Sequence, residues 1–329
     1  MIIAEIAQAH DGSLGVLHSY IDALATTGVD AIKFQTHIAD AESSAFEPFR
    51  IKFSYEDATR YDYWKRMEFT PEQWAGIKDH CDNKGLEFIS SPFSNAAVDL
   101  LEKLGAKRYK VGSGEITNHL LLQKIALTQK PVILSSGMST WSELDEAVHL
   151  FQSNNIDVSV LQCTSAYPAA PEQWGLNVIQ QLKEKYKTTV GYSDHSGNIY
   201  ACLAAAALGA EIFEFHAVFD KRMFGPDAIA SITIDDIKKL TEGIRQVQIA
   251  LSHPAKKGDN NMQEMKNIFE KSLAVNQSLS KGSILEFQHL EAKKPKGYGL
   301  SASQYIEVLG KRLKDDKRQW DFLQAEDVE

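Results

Sequence analysis

Short apolar runs alternate with longer amphipathic stretches along most of this chain. Eight of the runs are rich in Val, Ile and Phe, which is typical of buried parallel strands. These runs are Ile2–Ala7, Asp30–Gln35, Glu87–Ser91, Arg108–Gly112, Pro131–Ser135, Asp157–Cys163, Thr188–Ser193 and Glu211–His216. The stretches between them carry apolar residues three or four positions apart and therefore predict helices, among them Val16–Thr27, Ala96–Leu104, Thr140–Gln152 and Tyr200–Leu208.

The glycines support the same alternation. Each of four glycines follows a predicted helix and precedes the next strand, where a left-handed residue commonly ends a helix; they are Gly28, Gly85, Gly105 and Gly209. Eight β–α units predict an α/β fold, a closed (β/α)8 TIM barrel over residues 1–251. A doubly wound open sheet is the rival, but the chain has no dinucleotide-binding glycine motif to favour it.

Two segments depart from this rhythm. Thr36–Leu86 is about twice as long as the other connections and is rich in aromatic residues, so we expect it to wall or cover the active face. The aromatic residues are equally consistent with a small core inside the insertion itself. Residues 252–261 are polar and predict a linker, and residues 262–329 predict a small second domain that must dock on something larger.

Composition limits the function classes. The 329 residues are 43% hydrophobic and 24% charged, with a net charge of −9, which argues against nucleic acid or an anionic membrane as partner. Three cysteines without metal-type spacing, Cys81, Cys163 and Cys202, suggest reduced thiols and a cytoplasmic protein. The N-terminal residues predict a strand and not a signal peptide, and no apolar run is long enough to span a membrane.

Polar residues recur where the predicted strands end. His195 and His216 close consecutive strands, and carboxyl ends of parallel strands converge on one face. Two imidazoles there suggest a divalent metal such as Mn, Zn or Fe, although either histidine alone is more typical of an interior or loop residue. Lys33, Lys110 and several serines end other strands and suit a phosphate group. The sequence therefore predicts a phosphorylated substrate beside a metal and one acid–base group.

These strand ends also resemble the sialic acid synthase family. The motifs are, in order, EIAQAHDG, KFQTH, SSPFS, KVGSGE, SSGM, LQCTSAYP, GYSDHS, and EFH followed by GPD. Further along, KSL, SKGSIL, KPKGYG and VLGK resemble the antifreeze-like (SAF-type) domain of those enzymes. The resemblance implies a transferase that condenses phosphoenolpyruvate with an N-acetylmannosamine-type aldose, giving a nonulosonic acid and phosphate. It also implies Mn²⁺ and a homodimer in which one chain's antifreeze-like domain covers the other chain's barrel.

The resemblance assigns roles position by position. His195 and His216 are implied to bind the metal and, with Glu5 as the acid–base group, to form the catalytic set. The residues implied to hold phosphoenolpyruvate are Lys33, Ser90, Lys110, Ser113, Ser135 and Ser193. Those implied to contact the sugar are Gln35, Tyr167, Asp227 and, from the small domain, Lys294.

Several positions depart from the family pattern. Ala9-His10-Asp11 stands where Asn-His-Asn is usual, and Phe215 stands where a basic residue is usual. Ser165 replaces a common asparagine, and Lys294 replaces an arginine, whose planar fork a lysine does not reproduce. These departures leave the sugar open between N-acetylmannosamine, a diacetylated relative as for legionaminate, and a deaminated sugar.

Two other function classes are the alternatives. One is another phosphoenolpyruvate-dependent 3-deoxy-ulosonate synthase with a different aldose, against which the antifreeze-like module argues. The other is a non-catalytic carbohydrate-binding or ice-interacting protein, which leaves the barrel motifs without a purpose.

Overall fold

The chain divides into two units after His253. The computed structural model describes residues 1–253, which form the first unit, and residues 262–329 of the second. Of the predicted linker at 252–261, Ser252 is the last residue of a long helix, and residues 254–261 lie outside the described residues.

The first unit is a closed barrel of eight parallel strands. The strands are β1 (Ile2–Glu5), β2 (Ala31–Thr36), β3 (Glu87–Pro92), β4 (Tyr109–Val111), β5 (Val132–Ser135), β6 (Val158–Cys163), β7 (Val190–Asp194) and β8 (Ile212–Val218). Each strand pairs with its sequence neighbour, and β1 also pairs in parallel with β8, where Glu5 lies opposite His216. The predicted TIM barrel is confirmed, and the open sheet is excluded because β1 has partners on both sides. A two-residue strand β9 (Ile232–Thr233) extends from β8.

Helices surround the barrel. They are α1 (Leu14–Leu24), α2 (Ala39–Glu42), α3 (Arg60–Met67), α4 (Pro71–Asn83), α5 (Asn95–Lys103), α6 (His119–Ala126), α7 (Trp141–Ser153), α8 (Val178–Tyr186), α9 (Tyr200–Ala207) and α10 (Ile234–Ser252). The four glycines predicted to end helices all have positive φ angles, between 72° and 84°. A residue with a Cβ is strained in this conformation, so these glycines set the points where each helix turns back toward the next strand.

The barrel has two apolar layers. The larger layer lies between the strands and the helices. The smaller lies inside the barrel and consists of Ile3, Ala31, Ile89, Ile133, Leu161 and Ile212. Side chains alternate between the two faces of a strand, so residues two positions further along also point inward. Those positions carry polar side chains, and this alternation builds the site.

The long insertion after β2 forms its own small core and also faces a cavity. Tyr63, Trp64 and Met67 are buried together and pack against Phe49 and Phe53. Tyr63 and Trp64 also line the large cavity at the carboxyl ends of the strands. Both interpretations of the aromatic segment therefore hold, for the same residues.

The second unit is small. The helix α11 (Met262–Phe269) precedes an antiparallel pair, β10 (Ser272–Val275) and β11 (Leu290–Lys293). Its core consists of Leu273, Val275, Leu285, Val308, Leu313, Leu323 and Val328. No helix in the described parts of the chain has the length and apolar character needed to cross a membrane.

Candidate active site

A cavity of about 530 Å³ opens at the carboxyl ends of the barrel strands. Eleven of the predicted site residues line it: Glu5, Lys33, Gln35, Lys110, Ser113, Ser135, Tyr167, Ser193, His195, His216 and Asp227. The fold thus brings together side chains that are far apart in the chain: Glu5 and His216 lie opposite each other on paired strands, more than 200 positions apart. Convergence on the carboxyl face is the arrangement expected of a barrel enzyme.

The floor of the cavity is a layer of buried charged and hydroxyl groups, namely Glu5, Lys33, Lys110, Ser135, Ser193 and Glu214. Lys33 Nζ lies 2.9 Å from Glu5 Oε2 and 3.0 Å from Glu214 Oε1. Burial alone would lower the pKa of Lys33, but the two carboxylates outweigh it and raise the pKa. Burial likewise acts to raise the pKa of Glu5, yet the charges of Lys33 and His216 hold it below its usual range. Lys33 and Glu5 are therefore a charged pair at neutral pH.

Lys110 has a different environment from Lys33. Its ammonium group donates to Ser135 Oγ at 2.7 Å and lies 3.5 Å from Glu214 Oε1. Burial lowers its pKa, and the nearby charge of Lys33 adds to the effect against the opposing charge of Glu214. Lys110 is thus the less compensated cation of the floor and the one with more to gain from an incoming anion.

A small cradle of hydroxyl groups adjoins the floor. Ser113 Oγ and Ser165 Oγ lie 3.1 Å apart. A Cβ at Gly137 would fall 2.6 Å from Ser165 Oγ and 2.9 Å from Cys163 Sγ, so a larger residue there would displace the side chains of the cradle. Burial raises the pKa of the Cys163 thiol to about 11, which keeps it protonated and unreactive. The cradle offers short polar donors without a competing thiolate.

The two predicted metal ligands lie side by side. The ring centroids of His195 and His216 are 5.2 Å apart, and His216 Nε2 lies 3.4 Å from Glu5 Oε2. His195 Nδ1 donates to the carbonyl of Thr164 at 2.9 Å, which leaves Nε2 as an acceptor. Burial, with the nearby His216, lowers the pKa of His195 to about 4, so its ring is neutral at pH 7.

This donor set fits a divalent ion with open coordination positions. Among residues 1–253 and 262–329, no cluster of three or more His, Cys, Asp or Glu side chains could hold a metal. An ion bound by His195 and His216 would therefore complete its shell with oxygens of substrate or water, as catalytic sites do.

The mouth of the cavity consists of Arg50, Tyr167 and Asp227. Arg50 Nη2 donates to Asp227 Oδ1 at 2.9 Å, and its guanidinium carbon lies 4.4 Å from the centre of the Tyr167 ring. Tyr167 in turn packs on His195, with ring centroids 4.2 Å apart. The insertion is thereby joined to the loops after β6 and β8, directly above the two histidines.

The structure does not bring Ser90 to the cavity. Its hydroxyl bonds Thr36 Oγ1 at 2.7 Å and the Phe34 carbonyl at 3.2 Å, on the outer face of the sheet. Ser91, one residue later, points inward and lines the cavity. The SSPFS motif does lie at the end of a barrel strand, but successive side chains on a strand point to opposite faces of the sheet, so a shift of one residue exchanges the inner face for the outer one.

Lys294 belongs to the second unit, where its ammonium lies over the Phe269 ring at 4.6 Å.

Sequence reasoning missed Glu214, the carboxylate that both lysines share. The signal was available, because Glu214 lies two residues before His216 and therefore faces the same side of β8. Arg50, Arg60, His37 and Glu42 were also missed. They belong to the insertion, where no strand periodicity predicts which side chain faces the site.

Comparison with known proteins identifies the family. Residues 20–256 match the model of the NeuB family. The N,N'-diacetyllegionaminic acid synthase of Campylobacter jejuni is 37% identical, over 94% of this chain and 95% of the relative. A pseudaminic acid synthase of the same species is 34% identical, over 99% of this chain and 96% of the relative.

A solved structure agrees with these relatives. The N-acetylneuraminic acid synthetase of Leptospira borgpetersenii superposes with a TM-score of 0.71 and 31% identity, covering 80% of this chain and 89% of that chain. These similarities agree with the barrel and with the cavity at its carboxyl face. The chain belongs to the NeuB family of sialic acid synthases and is an enzyme of that type.

Proposed function

We propose that this enzyme condenses phosphoenolpyruvate with an N-acetylmannosamine-type aldose to give a nonulosonic acid and phosphate. The observation that carries the proposal is one cavity lined by two buried lysines and two adjacent imidazoles. In the reaction, C3 of phosphoenolpyruvate bonds to the aldehyde carbon, water adds at C2, and inorganic phosphate leaves. The family relationship supports this chemistry.

The floor suits the anionic substrate. Lys110, Ser135, Ser193 and the cradle around Ser113 offer an ammonium group and several hydroxyls, which match phosphate and carboxylate oxygens. Before the substrate binds, Glu214 partly compensates both lysines and so lowers the cost of burying two cations. The bound phosphoenolpyruvate anion then neutralises the positive charge of the lysines that Glu214 leaves uncompensated.

Glu5 suits the proton transfers. In the free enzyme its carboxylate is weakly basic, because Lys33 and His216 stabilise the charged form. An anion that draws Lys33 toward itself removes part of that stabilisation and makes Glu5 more basic. Glu5 then accepts a proton from the attacking water, or passes one to the new hydroxyl oxygen.

His195 and His216 are the residues we propose to hold a divalent cation, with Mn²⁺ the best match to two imidazoles and oxygen ligands. When bound, such an ion polarises the aldehyde of the sugar. Tyr167 packs on His195 and limits its motion, while Gln35 and Asp227 offer hydrogen-bond partners for sugar hydroxyls.

The identity of the aldose is tested by phosphate release. The purified enzyme, phosphoenolpyruvate and Mn²⁺ are combined with N-acetylmannosamine, a diacetamido hexose, mannose, and the pentose and tetrose phosphates of other ulosonate synthases. We expect release with one of the acetamido sugars, since relatives are named for legionaminic, pseudaminic and N-acetylneuraminic acids. Release only with a pentose or tetrose phosphate would transfer the enzyme to the alternative class of synthase.

We also propose that residues 262–329 are an antifreeze-like domain that completes the site of a second chain in a homodimer. The sequence resemblance supports this proposal. The core of the unit is also small, and Tyr298, in the 296–298 turn that follows Lys294, is exposed. In the proposed dimer, Lys294 and this turn reach the partner's sugar.

Hybrid dimers test this arrangement. A His195→Ala chain mixed with a Lys294→Ala chain should recover activity, because one of the two hybrid sites carries neither defect. Mass spectrometry verifies subunit exchange. Verified exchange without any gain over the separate variants would place the whole site within one chain.

A further inference from the structure

His37, at the end of the KFQTH motif, is a buried histidine with no role in the chemistry above. Its ring is stacked between Trp64 and Phe93, with centroid distances of 3.9 Å and 4.6 Å and interplanar angles of 21° and 10°. The ring is 5% exposed, so its two nitrogens can use only protein partners or the cavity. Two aromatic faces hold the plane of the ring and therefore fix the directions of both nitrogens.

Hydrogen bonds connect this ring to Glu5. His37 Nδ1 lies 2.6 Å from Glu42 Oε1, and Nε2 lies 3.1 Å from Gln35 Oε1. The amide nitrogen of Gln35 donates to Glu5 Oε1 at 2.7 Å. Gln8 Nε2 also donates to Gln35 Oε1. Four side chains thus form a continuous path from α2 in the insertion to the carboxylate of the floor.

The chemistry of these groups fixes the direction of each bond. The charged carboxylate of Glu5 only accepts, so Gln35 must turn its NH₂ group toward it. Gln35 Oε1 then lies 3.1 Å from His37 Nε2, and because two acceptors would repel each other at that distance, Nε2 carries a hydrogen and donates. Glu42 Oε1, 2.6 Å from Nδ1, holds the other side of the ring and so keeps Nε2 directed at Gln35. Glu42 therefore positions the nitrogen of His37 that contacts Gln35.

We propose that Glu42 and His37 are positioning residues that lock Gln35 and, through it, the orientation of Glu5. The inference rests on the proposed function of Glu5. The other oxygen of Glu5 is shared between Lys33 Nζ at 2.9 Å and His216 Nε2 at 3.4 Å. Gln35 holds the remaining oxygen, so loss of the lock frees the carboxylate to rotate away from its place beside the reacting carbons.

Three variants separate positioning from folding. His37→Phe keeps the aromatic stack and removes both hydrogen bonds. Glu42→Ala removes the partner that holds Nδ1, whereas Glu42→Gln can still donate to Nδ1 and leave a hydrogen on Nε2. The matched control is Tyr61→Phe, which removes a hydrogen bond from Tyr61 to Asp40 of the same helix α2, outside the path.

Steady-state kinetics with the accepted aldose should show a fall in kcat with little change in KM for phosphoenolpyruvate. We expect kcat to fall about 10- to 100-fold in His37→Phe and Glu42→Ala. KM for phosphoenolpyruvate should change less than about threefold, because Lys110 and Ser135 are untouched. Glu42→Gln should recover most of kcat, and Tyr61→Phe should match the wild type. Wild-type kcat in His37→Phe, or a loss in Glu42→Gln as large as in Glu42→Ala, would overturn the proposal.

Crystal structures of the wild type and His37→Phe decide the same question without activity. The proposal requires the Gln35 amide to leave its 2.7 Å contact with Glu5 in the variant. An unchanged Gln35–Glu5 contact in His37→Phe would overturn it. A wild type that is inactive with every aldose would refute the proposed function instead, and the crystallographic comparison would still judge the positioning role.

Discussion

The floor and the mouth of the cavity are built by different parts of the chain. Every floor residue lies on a strand and is fully buried, and its partners are other strand residues. The mouth is built by loops: Arg50 comes from the insertion, while Tyr167 and Asp227 follow β6 and β8. Rigid strands suit the part of the reaction that a synthase family shares, and loops suit the part that differs between acceptors.

The largest effect should come from the imidazoles that lie between floor and mouth. We expect His195→Ala and His216→Ala to lose at least about a thousandfold in kcat, because metal polarisation of a carbonyl contributes several kcal/mol. EDTA should inactivate the wild type, and Mn²⁺ should restore it, as measured by phosphate release. His119→Ala, an exposed histidine of α6, is the control. Full activity after thorough demetallation would remove the metal from the mechanism.

The two floor lysines should respond differently to the same substitution. Lys33→Met leaves Glu5 and Glu214 buried near each other without their shared cation, which should lower the free energy of unfolding by about 3–5 kcal/mol. Lys110→Met should spare stability and weaken phosphoenolpyruvate binding roughly a hundredfold, or about 2–3 kcal/mol.

Urea unfolding and calorimetric titration measure the two quantities for the lysine variants. Equal effects of both substitutions on both quantities would mean that the floor does not divide into a structural and a binding cation.

At the mouth, Arg50→Ala should raise KM for the aldose about tenfold, since one charge-assisted contact to Asp227 and the stack on Tyr167 are lost. KM for phosphoenolpyruvate should stay constant. Lys52→Ala removes one positive charge from an exposed position of the same insertion and serves as the control. If Arg50→Ala instead weakens phosphoenolpyruvate binding, the division between floor and mouth is wrong.

The smallest effect should come from His10, a buried histidine in the loop after β1. Burial lowers its pKa to about 3, and the charges of His37 and Arg66 add to this. The unfolded chain takes up a proton near pH 6.5 and the folded protein does not, so stability should fall as pH drops below about 6.5. Between pH 6.5 and pH 5.5 the loss is about 1 kcal/mol.

His10→Asn tests this sign. Asparagine does not titrate, and its side-chain oxygen can accept from the Gly12 amide as His10 Nδ1 does. Unfolding free energies at several pH values should give a flatter acid slope for the variant. Parallel slopes for the two proteins would show that other groups determine acid stability.

The site residues that lie on or directly after strands could be predicted from the sequence, and the reason is physical. Apolar runs, helix-ending glycines and the period of two along a strand are local properties, and they sufficed to place Lys33, Lys110, His195 and His216 on one face. The errors on the strands were also local. Ser90 was chosen where Ser91 faces inward, and Glu214 was overlooked although it shares the face of His216.

The loop-borne half was less accessible. Nothing in the spacing of Arg50 or Glu42 indicates that they meet Asp227 or His37, because loops have no repeating geometry that assigns side chains to a face. Asp227 and Tyr167 were found only through the family resemblance. Their pairing with Arg50 depends on how the insertion packs, which is a tertiary property.

The pairing of β1 with β8, which closes the barrel, affects the order of events during synthesis and folding. Lys33 and Glu214 are 181 residues apart, so the ribosome delivers both lysines long before their shared carboxylate. Contacts between residues so far apart in sequence form late in folding. Until the last strand pairs, the barrel has an unpaired strand edge that can bind chaperones or be cut by proteases. Joining β8 to β1 closes that edge and brings Glu214 and His216 to Lys33 and Glu5. The same step of biosynthesis therefore completes the barrel and assembles its reactive groups.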